Sequence, residues 1–205
     1  FYPIGICDVL QVEFSESCTD YGFSTSGLNI DGDPEDNLIV KAYRLIQSEF
    51  EIPPIDITLI KQIPFGAGLG GGSSDAAFML KMLNEMFALK MTPRKLENMA
   101  SSLGADCSVF IRNKPVFATG IGNIFNPIKL NLSGYFLVLV KPEIHISTIE
   151  AYSLVIPKKP KISIFENIQR PIDEWKELIY NDFEESVFSK YPEIAVIKDN
   201  LYELG

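Results

Sequence analysis

Apolar and polar residues alternate along Val9-Leu-Gln-Val-Glu-Phe14, the period-two pattern of a strand with one buried face. Asp56–Lys61 alternates in the same way with β-branched residues and predicts a second strand. Between them, the turn cluster Asp31-Gly-Asp-Pro-Glu-Asp36 supplies an N-cap. The helix it opens runs to about Phe50, with Leu38, Ile39, Ala42, Leu45 and Ile46 on one face, and Pro53-Pro54 ends it. Ala76, Met79, Leu80, Leu83, Met86 and Phe87 then recur at helical spacing. A further helix starts at Thr92-Pro93, buries Leu96, Met99, Ala100 and Leu103, and stops at Gly104. Val116–Ala118 and Ile124–Ile128 are short strand candidates, and the continuous apolar run Tyr135–Val140 reads as a buried strand. Helical segments are expected near Trp175–Tyr180 and Ile194–Leu204. The texture changes beyond Lys141-Pro142, Pro157–Pro171 is rich in proline and lysine, and a domain boundary is expected near Gly134. The class is therefore α/β, with domains expected at 1–134 and 135–205.

Composition narrows the partners. A net charge of −9 repels a phosphate backbone, and Lys158 and Lys159, set between prolines in a predicted loop, make no basic patch, so no nucleic acid is expected. No apolar run approaches the ~18 residues of a membrane span. Cys7, Cys18 and Cys107 lack metal or redox spacing, which fits a reducing, cytoplasmic setting. A lone histidine, His145, leaves histidine-based catalysis little support.

The chemistry concentrates between the second strand and the helix that follows. Five of the seven residues from Gly66 to Gly72 are glycine. Each glycine loses more backbone freedom on folding than any other residue, so such a run marks close approach of the backbone to something, or repeated positive φ. A helix follows at once, and its N-terminus with successive loop N–H groups makes an anion cradle. Ser73 and Ser74 read as N-cap residues whose hydroxyls add hydrogen bonds to phosphate or a place on Mg²⁺. Three phosphate-binding patterns compete with one another and with a merely flexible loop. A Walker A loop fails, because Gly72 stands where its lysine belongs. Gly66, Gly68 and Gly71 fit GxGxxG, yet Pro64-Phe65 intervenes after the strand, and the segment that should form the next strand is helical.

The third pattern is Pro-x-Gly-x-Gly-Leu-Gly-Gly-Gly-Ser-Ser-x-Ala-Ala, beginning at Pro64. It resembles the ATP-binding motif of the GHMP kinases (galactokinase, homoserine kinase, mevalonate kinase and relatives). Its extra glycines resemble the branch whose acceptor is the 2-hydroxyl of a cytidine diphosphate-linked methylerythritol, in isoprenoid precursor synthesis. Glu35-Asp-Asn-Leu-Ile-Val-Lys-Ala-Tyr-Arg-Leu45, Leu103-Gly-Ala-Asp-Cys-Ser-Val-Phe110, Ala118-Thr-Gly-Ile-Gly122 and Asn181-Asp-Phe-Glu184 are similar to further segments of that branch, in the same order. The resemblance implies a two-domain fold, a mixed-sheet N-terminal domain with a partial ferredoxin-like second domain, binding its ligands in the cleft between them. It implies ATP and Mg²⁺ as cofactors, a small-molecule acceptor, and ATP contacts from Pro64, Phe65, Gly66, Ala67, Gly68, Leu69, Gly70, Gly71, Gly72, Ser73 and Ser74. Asp106, in Gly-Ala-Asp, matches the catalytic aspartate, as base or as anchor for the attacking hydroxyl; from its context alone it is equally a turn residue. Thr148 and Tyr152 hold the family's spacing from a threonine to the ring that stacks on cytosine, and Phe1 falls where a second ring flanks the base. The blander reading makes Tyr152 a core residue and Phe1 a frayed end.

The family's Pro-x-Ala-Lys-Ile-Asn segment with its active-site lysine, its Asp-Gly-Tyr-His segment and its C-terminal Gly-rich motif have no counterpart here. The sequence is expected to be an interior segment of a longer protein, in which no lysine inherits the catalytic role, and to show little turnover on its own. Another GHMP kinase acting on homoserine or mevalonate, a dinucleotide-binding oxidoreductase, and a nucleotide-binding module without catalysis remain the alternatives.

Overall fold

The computed structural model describes residues 1–153, 155–156 and 162–204; the predicted loop around Lys158 and Lys159 lies outside them. The chain forms two compact units, Phe1–Lys129 and Leu130–Gly205.

In the first unit β1 (Val9–Phe14), β2 (Tyr21–Gly27) and β3 (Ile55–Lys61) make a mixed sheet in the order β1-β3-β2. β1 runs antiparallel to β3, with Val12 opposite Ile57, and β2 parallel to it, with Phe23 opposite Ile57. The parallel pair needs a crossover, and α1 (Leu38–Gln47) provides it. Asn37 caps α1 by accepting from the Ile39 N–H, while Asp33 caps the short 3-10 turn Pro34–Asp36 just before. α2 (Gly71–Met86) and α3 (Pro93–Leu103) pack beside it, then α4 (Val109–Arg112) and the antiparallel pair β4 (Val116–Thr119) and β5 (Ile124–Pro127).

One core joins these layers. Ile39, Ala42, Tyr43 and Ile46 from α1 meet Ile55, Ile57 and Leu59 from β3, and Ala76, Met79, Leu80 and Leu83 from α2. Leu96, Met99 and Ala100 close it from α3, the face expected from their spacing. Thr92 caps α3 and Gly104 ends it. The predicted strand Val9–Phe14 matches the observed one, and β3 begins one residue before the expected Asp56.

In the second unit the described elements are helical: α5 (Thr148–Ser153), α6 (Ile164–Asn167), a 3-10 turn at Ile172–Glu174, α7 (Trp175–Leu178), α8 (Glu184–Lys190) and α9 (Pro192–Glu203). Tyr135–Val140 is not the buried strand expected. It joins neither sheet, and Phe136 is 98% exposed. A strand is defined by its partner's hydrogen bonds, and an apolar run carries no record of the partner. Among the described residues no helix is long and apolar enough to cross a membrane.

Candidate active site

The glycine loop leaves the end of β3 and feeds α2. Gly66, Gly68 and Gly70 take φ of +65°, +69° and +68°, a left-handed region that L side chains enter at a cost of about 1–2 kcal/mol. Ala67 and Leu69 between them stay outside it. Alternation of this kind turns successive backbone N–H groups toward one concavity, an anion-binding nest. Gly70 is the N-cap of α2, and its carbonyl accepts from the Ser74 N–H at 2.8 Å. Ser73 and Ser74 are therefore not caps as expected but first-turn residues. The helix starts earlier than the apolar pattern indicates, because Gly70 can turn the chain left-handed where a serine would strain. The early N–H groups of α2 have no acceptor within the helix and are free to meet a ligand.

The loop walls a cavity of about 370 Å³, within the range of ligand pockets. Its lining takes in every predicted loop residue from Pro64 to Ser73, and Ser74 lies one residue beyond. The turn before α1 and the start of that helix add Asp31, Asp33, Asp36, Asn37 and Leu38 to the lining, and Leu59, Lys61 and Asp75 join it from β3 and α2.

Lys61 flanks the loop in the sequence but matches no motif there, and only the structure gives it a place. Period-two alternation puts it on the core face of β3 with Ile55, Ile57 and Leu59, and its side chain is 1% exposed. Its ammonium donates to Asp8 Oδ2 at 2.5 Å and to Asp75 Oδ2 at 2.9 Å. Asp8 Oδ1 accepts from the N–H groups of Gln62 and Ile63, at 2.5 and 2.8 Å. Burial pushes the Asp75 carboxyl up to about 6 against the pull of Lys61. Burial also raises Asp8, but bonds from Lys61, Ile63 and Gln62 outweigh it and hold that carboxyl below its usual range.

Asp106 lies exposed in the turn between α3 and α4. Two neighbours fix this turn against the loop. Cys107 is fully buried, and the Ser73 side chain lies near enough to temper the rise that burial gives its thiol pKa. The Phe110 ring sits under the loop, 3.0 Å from where a Cβ on Gly70 would be. The β4–β5 tip approaches from another side, with a Cβ at Gly122 falling 3.4 Å from Asp106 Oδ1. The predicted phosphate loop and the predicted catalytic aspartate thus belong to one corner of the first unit.

The proposed acceptor residues do not all share that unit. Phe1 pairs through its backbone with Val116, its N–H group donating at 2.8 Å, and its ring is half-exposed. Thr148 and Tyr152 lie exposed on α5 in the second unit. Tyr152 is not a core residue: it is 66% exposed and meets Phe183 edge to face at 5.0 Å. Glu150 anchors α5 by accepting from Lys190 and from the Tyr191 hydroxyl, at 2.5 and 2.7 Å.

Residues 37–114 match the model of the GHMP kinases N terminal domain. The chain is 55% identical over 206 residues to a 4-diphosphocytidyl-2-C-methyl-D-erythritol kinase of Bacteroides fragilis, covering all of this chain and 75% of that protein. A protein of the same name from Porphyromonas gingivalis is 44% identical over 207 residues, with the same coverage. Among solved structures, one of a 4-(cytidine 5'-diphospho)-2C-methyl-D-erythritol kinase superposes with a TM-score of 0.73 at 25% identity, over 97% of this chain and 70% of that one. A homoserine kinase from Cytophaga hutchinsonii shares the fold at 16% identity, TM-score 0.50, over 83% of this chain and 56% of its own.

Proposed function

The chain belongs to the 4-diphosphocytidyl-2-C-methyl-D-erythritol kinase family of the GHMP kinases, and on that premise we propose that it transfers the γ-phosphoryl group of ATP to the 2-hydroxyl of 4-diphosphocytidyl-2-C-methyl-D-erythritol. One observation carries the reading: the glycine loop and the N-terminus of α2 stand against the segment that bears Asp106, with the Phe110 ring packed against Gly70. Phosphoryl transfer needs positioning and charge stabilisation more than covalent chemistry, and this corner supplies both.

The phosphate tail lies along the loop, where N–H groups and the positive end of α2 point. The wall of Asp31, Asp33 and Asp36 would repel phosphate, so the nucleoside takes that end of the cavity, where Asn37 and Leu38 offer an amide and an apolar surface. The Ser73 and Ser74 hydroxyls are the groups of the loop that would hold Mg²⁺ brought with the nucleotide, and the ion would offset phosphate charge during transfer. The acceptor hydroxyl oxygen attacks the γ-phosphorus, ADP leaves, and the hydroxyl proton passes to the Asp106 carboxylate or, if Asp106 only anchors the hydroxyl, to water. Tyr152 and Thr148 hold the cytidine end of the acceptor, with Phe1 as the second ring. The reaction belongs in the cytoplasm, where ATP is available and free thiols such as those of Cys7, Cys18 and Cys107 persist.

The test is ATP consumption by the full-length protein with and without the cytidyl acceptor, alongside Asp106→Asn. Acceptor-dependent turnover that falls by about 10²–10⁴ in the variant, with the KM for ATP nearly unchanged, supports the assignment. Turnover with homoserine or mevalonate instead would change the substrate, and ATP binding without any turnover would leave a nucleotide-binding module.

A further inference from the structure

The Asp8–Lys61–Asp75 cluster needs a reason to exist. An aliphatic residue at position 61 would continue the Ile55–Ile57–Leu59 stripe without desolvating any charge. A buried ion pair is often no more stabilising than the apolar residues that could replace it. Stability alone therefore does not call for a lysine at this point. Position in the fold does.

The ammonium touches the glycine loop at its entry, its body and its exit. At the entry it binds Asp8, whose other oxygen holds the N–H groups of Gln62 and Ile63 immediately before Pro64. In the body it lies 5.1 Å from the centre of the Phe65 ring. At the exit it binds Asp75 in the first turns of α2 and sits 3.1 Å from where a Cβ on Gly71 would be. A loop this rich in glycine has many conformations to lose, and a cradle that must be ordered afresh by each nucleotide binds more weakly than one held in shape. Charge does not account for the cluster either. Two carboxylates surround one ammonium, so it does not attract phosphate.

We propose that Asp8 and Asp75 are positioning residues that, through Lys61, clasp the two ends of the glycine loop and so set the affinity for ATP. The proposal rests on the loop being the phosphate cradle.

The experiment uses the full-length protein and two readouts: ATP binding by titration calorimetry, and separate KM and kcat values for ATP and for the cytidyl acceptor. Asp75→Ala is expected to raise Kd and KM for ATP about tenfold, with kcat at saturating ATP and the acceptor KM within about twofold. Asp75→Asn keeps an oxygen for Lys61 and is expected to return the ATP KM to within about threefold of the parent. Should the alanine variant not fold, the charge-free combination Asp8→Asn, Lys61→Met, Asp75→Asn keeps the volume, and its ATP KM is expected to rise about tenfold or more. Parent-like ATP binding in a folded alanine or charge-free variant overturns the clasp, as does a parallel loss of kcat and both KM values. A parent protein that does not bind ATP overturns the cradle and the clasp together.

Discussion

Placing a methyl group on Gly70 tests whether the loop and the Asp106 turn are mechanically joined. Gly68 and Gly70 have nearly the same φ, +69° and +68°, but different surroundings. A Cβ at Gly68 meets nothing within 4 Å, whereas one at Gly70 meets Phe110 Cζ at 3.0 Å and Cε2 at 3.1 Å. Gly68→Ala therefore carries left-handed strain alone, about 1–2 kcal/mol. Gly70→Ala carries the same strain plus an overpacked ring, a further ~1–3 kcal/mol. The assay is chemical denaturation of the full-length protein for both variants, for Phe110→Leu, and for Gly70→Ala with Phe110→Leu. The double variant is expected to recover about 1 kcal/mol relative to the sum of its parts, because the smaller side chain vacates the contact. Phe110 also lies four residues beyond Asp106, so Gly70→Ala should lower kcat as well as raise the ATP KM, while Gly68→Ala should move mainly the KM. Equal destabilisation by the two alanines, with no coupling to Phe110, would refute the contact and with it the mechanical link.

Tyr152→Ala is expected to raise the acceptor KM about tenfold or more, the range for losing a base-stacking ring, with Tyr152→Phe close to the parent; parent-like KM in the alanine variant would remove Tyr152 from the site. Asp75 makes stability depend on pH in an unusual direction. Its native pKa, about 6, exceeds the ordinary 3.8, so the native state binds more protons between those values and its stability falls as pH rises through them. Asp75→Asn should abolish that decline, gaining up to about 3 kcal/mol at pH 7 and little near pH 4; denaturation midpoints for the two proteins that stay parallel from pH 4 to 7 would contradict it.

Much of the first unit was legible because its elements bury one face. The stripe Leu96, Met99, Ala100 on α3 and the alternation along β1 record which side meets the core. β2 was missed because Tyr21-Gly-Phe-Ser-Thr-Ser-Gly27 lies half in solvent and has no apolar face to repeat. Tyr135–Val140 failed in the opposite sense, its apolar residues suggesting burial that the described fold does not supply. The glycine loop and Asp106 were legible as motifs, but not their contact through Phe110, which depends on how α2 and α4 pack. The charge cluster left half a signal. Alternation along β3 aims Lys61 inward, yet Asp8 lies 53 residues away and nothing local announces it as the partner.

The same cluster bears on how an acidic protein holds a triphosphate. Among the cavity's lining residues Asp31, Asp33, Asp36 and Asp75 stand against a single cation, Lys61, and that cation is already shared by two carboxylates. Side-chain charge in the cavity therefore opposes the phosphates, and the function proposed above draws its attraction from backbone N–H dipoles, with Mg²⁺ as the proposed counter-charge. Salt distinguishes these sources. Lysines or arginines gripping phosphate would lose their hold as the screening length drops from roughly 10 Å at 0.1 M to 3 Å at 1 M. Short-range dipoles lose little, while the repulsion from the acidic wall is screened. At saturating Mg²⁺, the KM for ATP should stay level or fall as sodium chloride rises from about 0.05 to 0.5 M. A steep rise in KM over that range would mean that cations outside this cavity carry the phosphates, and the backbone cradle would no longer explain binding.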